Sequence, residues 1–193
     1  GKTGTGKTLT VRHTTQKIRE ITERENIPLR IIYINCKIKR STDTEYRLIA
    51  QLARDLGKSI PPTGLPTEEV YRVFFKALNK QKQNHIIILD EIDQLVNKAG
   101  YNELYNLTRI NEEDTKSQVS IVGISNDIIF FDNLDPRVRS SLSEEEIVFP
   151  PYNALQIQSI LRQRAEVAFK KDVLEQGVIE KCAAYAARDH GDA

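Results

Sequence analysis

The chain has 193 residues, of which 39% are hydrophobic and 28% charged, and a formal net charge of +1. That length fits one substantial core plus a small appendage, at roughly 100–200 residues per domain, and no run approaches the ~20 consecutive apolar residues of a membrane helix. No membrane partner is therefore expected and a cytoplasmic location is the default, while near-neutrality excludes a global attraction to nucleic acid and leaves any DNA binding to local basic patches or to parts outside the chain. After a glycine-rich opening, Val11, Thr14, Ile18 and Ile21 recur at three- and four-residue spacing up to Pro28, which predicts a helix with one buried face. Residues 30–36 (RIIYINC) read as a buried strand. Thr42 to Glu45 have the spacing of a capping box and introduce a helix with Tyr46, Ile49, Leu52, Ala53 and Leu56 on one face and Gly57 as its stop.

Residues 60–66 (IPPTGLP) must be loop, because three prolines and a glycine in seven residues cannot hold a helix. Thr67 is placed to cap the next helix, with Glu68 and Glu69 in its first turn and Tyr71, Phe74, Phe75 and Leu78 as a packing stripe. Two apolar runs of strand length, 85–89 and 119–125, flank a helical segment over 102–110. Strands alternating with helices imply an α/β fold, a parallel sheet with helices on both faces. The pattern changes at Pro150-Pro151, where a domain boundary is expected. Beyond it one helix carries Ile157, Ile160, Leu161 and Ala168, and a second carries Val178, Ile179, Cys182 and Ala186.

Cys36 and Cys182 lie far apart, and His13, His85 and His190 are the only histidines, so no metal-ligand spacing occurs; reduced thiols and no zinc are expected. There is no methionine and the first residue already belongs to a motif, so the chain is expected to be a fragment.

That motif carries the chemistry. Gly1, Lys2, Thr3, Gly4, Thr5, Gly6, Lys7 and Thr8 match G-x-x-x-x-G-K-S/T in full. The glycines let successive backbone N–H groups turn inward as an anion nest, and the following helix directs its positive end at the same point. Lys7 is then expected to reach the β- and γ-phosphates, and the Thr8 hydroxyl to bind Mg²⁺. Residues 86–89 form an apolar strand ending in Asp90-Glu91. Asp90 is expected to hold Mg²⁺, through water, and Glu91 to orient and polarise the attacking water. Asn126 follows the next strand and is a candidate second polar contact to the γ-phosphate or that water. Neither Asn97-Lys98 nor Asn79-Lys80 continues into the guanine-reading Asn-Lys-x-Asp, which favours ATP over GTP. Arg137 and Arg139, in LDPRVRSSL, are candidates for an arginine acting on a neighbouring subunit's γ-phosphate; a solvated surface arginine is the competing reading of each.

GKTGTGKT, IIILDEID, GISND, LDPRVRSSL and the terminal AARDHGDA, in this order, resemble the archaeal origin-recognition (ORC/CDC-type) replication initiators, within the initiator clade of AAA+ P-loop ATPases. The phosphate loop and the Asp-Glu strand are generic to P-loop ATPases, whereas LDPRVRSSL and HGDA are more particular. The resemblance implies an αβα ATPase base over 1–150, without its N-terminal strand, and the start of a helical lid over 151–193. It implies ATP, ADP and Mg²⁺ as ligands, with Asn126 as the sensor-1 residue. It also implies origin double-stranded DNA and an MCM-type replicative helicase as partners, self-association or a neighbouring AAA+ subunit, and a nucleoid-associated place in the cytoplasm. Residues 58–75 look like the family's DNA-touching helical insertion, and Lys37, Lys39 and Arg40 form a short basic group diluted by Asp43 and Glu45. Relatives carry an arginine after HGDA and a winged helix beyond it, neither of which the chain contains. Many AAA+ relatives also carry Ser-Arg-Phe where this chain has Ser140-Ser141-Leu142, which leaves Arg137 and Arg139 both open.

The function so implied is a slow, ATP-switched initiator. The alternatives are a clamp-loader or transposition-helper ATPase, a STAND-type signalling ATPase that does not act on DNA, and an inert scaffold, against which Lys7, Asp90 and Glu91 argue.

Overall fold

The computed structural model describes residues 2–37, 45–61, 64–112, 116–142, 145–170 and 173–189. Gly1, the capping residues Thr42 to Thr44, the basic pair Lys39 and Arg40, and the HGDA terminus with His190 lie outside the described residues. Contacts divide the chain into two compact units, one of Thr10–Ser125 with Ile129–Glu145 and one of Gly1–Leu9 with Asn126–Ile128 and Glu146–Ala193.

The larger unit is built on three parallel strands, β1 (Leu29–Asn35), β2 (Asn84–Asp90) and β3 (Gln118–Ile124), in the order β1-β2-β3. β-Branched residues recur in all three, and the central strand buries Ile87, Ile88 and Leu89 in succession, as a strand covered on both faces requires. The register sets Asn35, Asp90 and Ile124 abreast. Segments that leave the strands therefore do so at one edge, where open α/β sheets bind ligands.

Between β1 and β2 run α2 (Glu45–Asp55) and α3 (Thr67–Leu78), two helices where a minimal crossover needs one. They pack through Leu48, Leu52, Phe74 and Leu78, all buried. Gly57 ends the first of them in the left-handed region, φ 86°. Thr67 does not cap α3: Pro66 holds the cap position and no side chain caps it, because Thr67 is already the first helical residue. Two helices went unread in the sequence, α4 (Ile92–Ala99) directly after Asp90-Glu91 and α6 (Pro136–Leu142) inside LDPRVRSSL; α5 (Asn102–Thr108) lies where it was expected.

Helix α1 (Lys7–Arg24) forms but buries no residue. Of its expected inner face Val11 and Ile18 are half-buried, while Thr14 and Ile21 are exposed and Thr15 and Thr22 are half-buried in their place. Arg12, Thr15, Gln16 and Arg19 face Ile31, Tyr33 and Ile88 across an open cavity of about 340 Å³, so long polar side chains meet the sheet where apolar ones would have closed on it.

His85 is 2% exposed at the start of β2, with no hydrogen-bond partner for either ring nitrogen among the described residues. Burial, and then the charge of Arg30, push its pKa below the ordinary 6.5. Below that ordinary value the unfolded chain takes up a proton that the folded chain resists, so stability is fullest above it and is lost as pH falls. Urea midpoints are expected to drop between about pH 7 and pH 5, and to drop less in His85→Leu, which fills the site without a titrating group.

In the smaller unit, Asn153 caps α7 (Ala154–Ala168) by accepting from the Gln156 N–H at 2.9 Å, while the Gln156 side chain accepts from the Asn153 N–H at 3.0 Å. Helix α8 (Val178–Asp189) packs against α7, and Arg162 and Gln158 both donate to Glu180. The buried line of α8 runs through Ala183, with Ile179 and Ala186 half-buried; Val178 and Cys182, expected inside, are exposed because the helix is rotated about one position from the predicted face. Cys36 is buried and Cys182 is exposed. Among the described residues no helix is long and apolar enough to cross a membrane.

Candidate functional site

The phosphate-loop motif occupies the turn that opens α1. Gly4 and Gly6 both sit at φ 83°, which other residues adopt only with strain. A Cβ added at Gly6 would stand 2.8 Å from the Tyr152 hydroxyl, so that side chain would have to shift as well. The Thr5 hydroxyl donates to the Lys2 carbonyl at 2.9 Å, and Tyr152 donates to the Thr5 carbonyl at 3.1 Å. The Lys7 ammonium bonds the Lys2 carbonyl at 2.5 Å and reaches the Thr5 hydroxyl at 3.5 Å. With no acidic residue in the first turn of α1, the loop collects a cation, a helix N-terminus and two left-handed glycines, a donor set suited to an anion such as a polyphosphate. Tyr152 was not read from the sequence; its signal is its place directly after Pro150-Pro151.

In the other unit, β2 delivers Asp90, 5% exposed, at its end. Oδ1 accepts from the Glu91 N–H at 3.0 Å, and Oδ2 accepts from the Tyr33 hydroxyl. Burial first, and the bond to Asp90 second, raise the pKa of Tyr33, so the phenol keeps its proton and donates. Glu91 lies at φ 55° and ψ 47°, a left-handed conformation that costs a non-glycine residue about 1–3 kcal/mol. Its Oε1 is 3.5 Å from the Lys37 ammonium, while its Oε2 is buried with no hydrogen-bond partner among the described residues. A strained backbone holding a half-satisfied carboxylate is what a site shaped for another polar group looks like. Lys37, the first of the short basic group, is thus paired with Glu91.

Ile124 stands opposite Asp90, and Asn126 follows two residues later in the chain. Next to it, Ser125 donates to Asp93 of α4 at 3.1 Å. The two arginines differ in surroundings. Arg137 forms a two-pronged pair with Asp135, at 3.1 and 3.0 Å, that holds the Asp135 carboxyl below the usual carboxylate range. Arg139 lies over the Phe131 ring at 4.7 Å.

Among the described residues no three His, Cys, Asp or Glu side chains converge to hold a metal. Mg²⁺ does not need such a cage, since it keeps several waters and is commonly held by one or two protein oxygens together with substrate phosphates. The hydroxyl of Thr8 and the buried carboxylate of Asp90 are hard oxygen donors of that kind.

Residues 1–128 match the AAA domain family. The chain belongs to the AAA family. Residues 158–193 match the Cdc6 AAA+ ATPase-type lid domain. This AAA chain is 53% identical over 197 residues to an ORC1-type DNA replication protein of Pyrococcus furiosus, covering 100% of itself and 46% of that protein. With the ORC1-type DNA replication protein 1 of Archaeoglobus fulgidus it shares 53% identity over 193 residues, again covering 100% of the chain and 46% of the relative. Among solved structures, the Aeropyrum pernix ORC1 protein in complex with DNA superposes at a TM-score of 0.88 with 44% identity, over 100% of this chain and 49% of that one. Cdc6p from Pyrobaculum aerophilum gives 0.74 and 26%, over 95% of this chain and 46% of that one. The likeness to archaeal origin-recognition initiators and the α/β P-loop class are borne out. The chain spans about half the length of the curated relatives it matches.

Proposed function

We propose that the protein containing this AAA chain is an ATP-dependent replication initiator that binds origin double-stranded DNA and uses slow hydrolysis as a switch for origin recognition and helicase loading. The observation that carries the reading is a full phosphate loop, with Gly4 and Gly6 left-handed and Lys7 turned back over it, in a chain 53% identical to ORC1-type DNA replication proteins.

In this reading residues 2–6 wrap the phosphates with backbone N–H groups, Lys7 meets the β- and γ-phosphates, and Thr8 and Asp90 are the groups that would hold Mg²⁺. Mg²⁺ bound there would supply neutralisation of the negative charge that develops on the phosphoryl oxygens. Glu91 orients and polarises the attacking water through the carboxylate whose second oxygen has no partner among the described residues. Asn126 contacts the γ-phosphate or that water from the end of β3, and Arg137 or Arg139 acts on the nucleotide of a neighbouring AAA+ subunit. Residues 1–150 serve as the base and 151–193 as the opening of the lid; the match of 158–193 to a Cdc6-type lid supports that division. ATP and ADP then select different base-to-lid arrangements, the two-state element that hydrolysis resets. An MCM-type helicase is the proposed partner, and the nucleoid the proposed place of action.

The test is duplex binding by the intact protein. Sequence-selective affinity that differs between the ATP and ADP states supports the reading. ATP binding without any preference for DNA moves the protein to the clamp-loader, transposition-helper or STAND-type alternatives.

A further inference from the structure

A chain of contacts runs from α1 through β1 to Asp90. The Asp90 carboxylate is gripped twice, by the Glu91 N–H on Oδ1 at 3.0 Å and by the Tyr33 hydroxyl on Oδ2. Tyr33 belongs to the neighbouring strand, where its Cα stands opposite that of Ile88, two residues short of Asp90. The hydroxyl of a tyrosine can therefore span to the end of β2, and no shorter side chain at this register could. The ring itself is held from the far side: the Arg12 guanidinium of α1 lies 4.8 Å from its centroid, and both side chains line the cavity between α1 and the sheet. A carboxylate gripped on one oxygen only would rotate about its last bond; gripped on both, it keeps a single plane.

We propose that Tyr33 is a positioning residue for Asp90, fixing the plane of the carboxylate for Mg²⁺, and that Arg12 holds the Tyr33 ring in place to do so. The proposal rests on the reading of Asp90 as the carboxylate that serves Mg²⁺. Groups that orient a ligand from behind typically change metal affinity about 10- to 100-fold when removed. A hydroxyl that merely satisfied a buried carboxylate would instead alter stability, or nucleotide affinity regardless of metal.

The experiment is an equilibrium titration of a fluorescent ATP analogue on the intact protein, in EDTA and across a Mg²⁺ series, for the wild type, Tyr33→Phe, Arg12→Met and Asp90→Asn. Tyr33→Phe is expected to leave metal-free affinity as it is and to raise the half-saturating Mg²⁺ concentration about 10-fold, with saturating Mg²⁺ restoring binding. Arg12→Met, at an exposed position, is expected to shift it in the same direction by about threefold, and carries the test should Tyr33→Phe not fold. Asp90→Asn is expected to lose the Mg²⁺ dependence. Wild-type Mg²⁺ dependence in Asp90→Asn would overturn the assignment of Asp90, and the role of Tyr33 with it. Loss of that dependence in Asp90→Asn, together with an unchanged half-saturation in Tyr33→Phe, would overturn the Tyr33 proposal alone. So would a loss of affinity in Tyr33→Phe that is equal with and without Mg²⁺.

Discussion

Replacing Glu91 by glutamine is expected to leave ATP binding near the wild-type level and to reduce hydrolysis by about 10²–10⁴-fold, the range that a positioned general base contributes. Glutamine has nearly the same shape, so the left-handed start of α4 and its packing stay as they are. What it loses is the negative charge and the ability to accept a proton from water. Two local changes accompany the substitution. Lys37 loses its partner, and the buried position of Oε2, which has no hydrogen-bond partner among the described residues, is taken by an amide or carbonyl group. The first has little consequence for stability, because the Lys37 side chain is 71% exposed and well solvated. Single-turnover hydrolysis and equilibrium ATP binding, measured on the same preparation, separate the two steps. Full hydrolysis in Glu91→Gln would remove Glu91 from the chemistry.

Lys7→Ala is expected to weaken ATP binding by about 100-fold or more, near 3 kcal/mol, as follows from removing one partner of a desolvated, hydrogen-bonded charge pair. The ammonium already sits over the loop, at the Lys2 carbonyl and the Thr5 hydroxyl, where phosphate oxygens are expected to meet it. The fold should tolerate the change, since the contacts to Lys2 and Thr5 lie within one short loop. Isothermal titration with ATP reads the loss, and circular dichroism checks the fold. Unchanged affinity would dismiss the loop as a phosphate site.

Much of this was legible from the residues. The strands show because unbroken apolar runs, IIYIN and IIILD, have one stable use at that length in an α/β protein. The phosphate loop shows because its glycines and lysine are fixed by chemistry rather than by packing. Helices α4 and α6 were missed for a shared reason: each is one or two turns long and begins inside a motif already assigned to chemistry. Their signals were present, with Ile92, Leu95 and Val96 at helical spacing and Pro136 at a first-turn position where its missing N–H does no harm. The inner faces of α1 and α8 were misjudged because periodicity reports only which residues share a face. How far that face is covered depends on neighbours that the local pattern does not contain. The contacts of Tyr33, Lys37 and Tyr152 were illegible for a deeper reason. Each joins residues 54 to 147 positions apart, or a side chain to a backbone carbonyl, and only the strand register and the fold bring those together.

The central claim is that a nucleotide-bound AAA switch governs recognition of origin DNA, and the measurement that tests it most directly is competition between an origin duplex and a scrambled duplex of equal length. It is made on the intact protein across a salt series, in ATP and in ADP. The account predicts that added salt weakens both duplexes through counterion release, that the origin keeps its advantage, and that the size of that advantage changes with the nucleotide. Equal affinity for the two duplexes in both nucleotide states, from a protein that binds ATP, would contradict it.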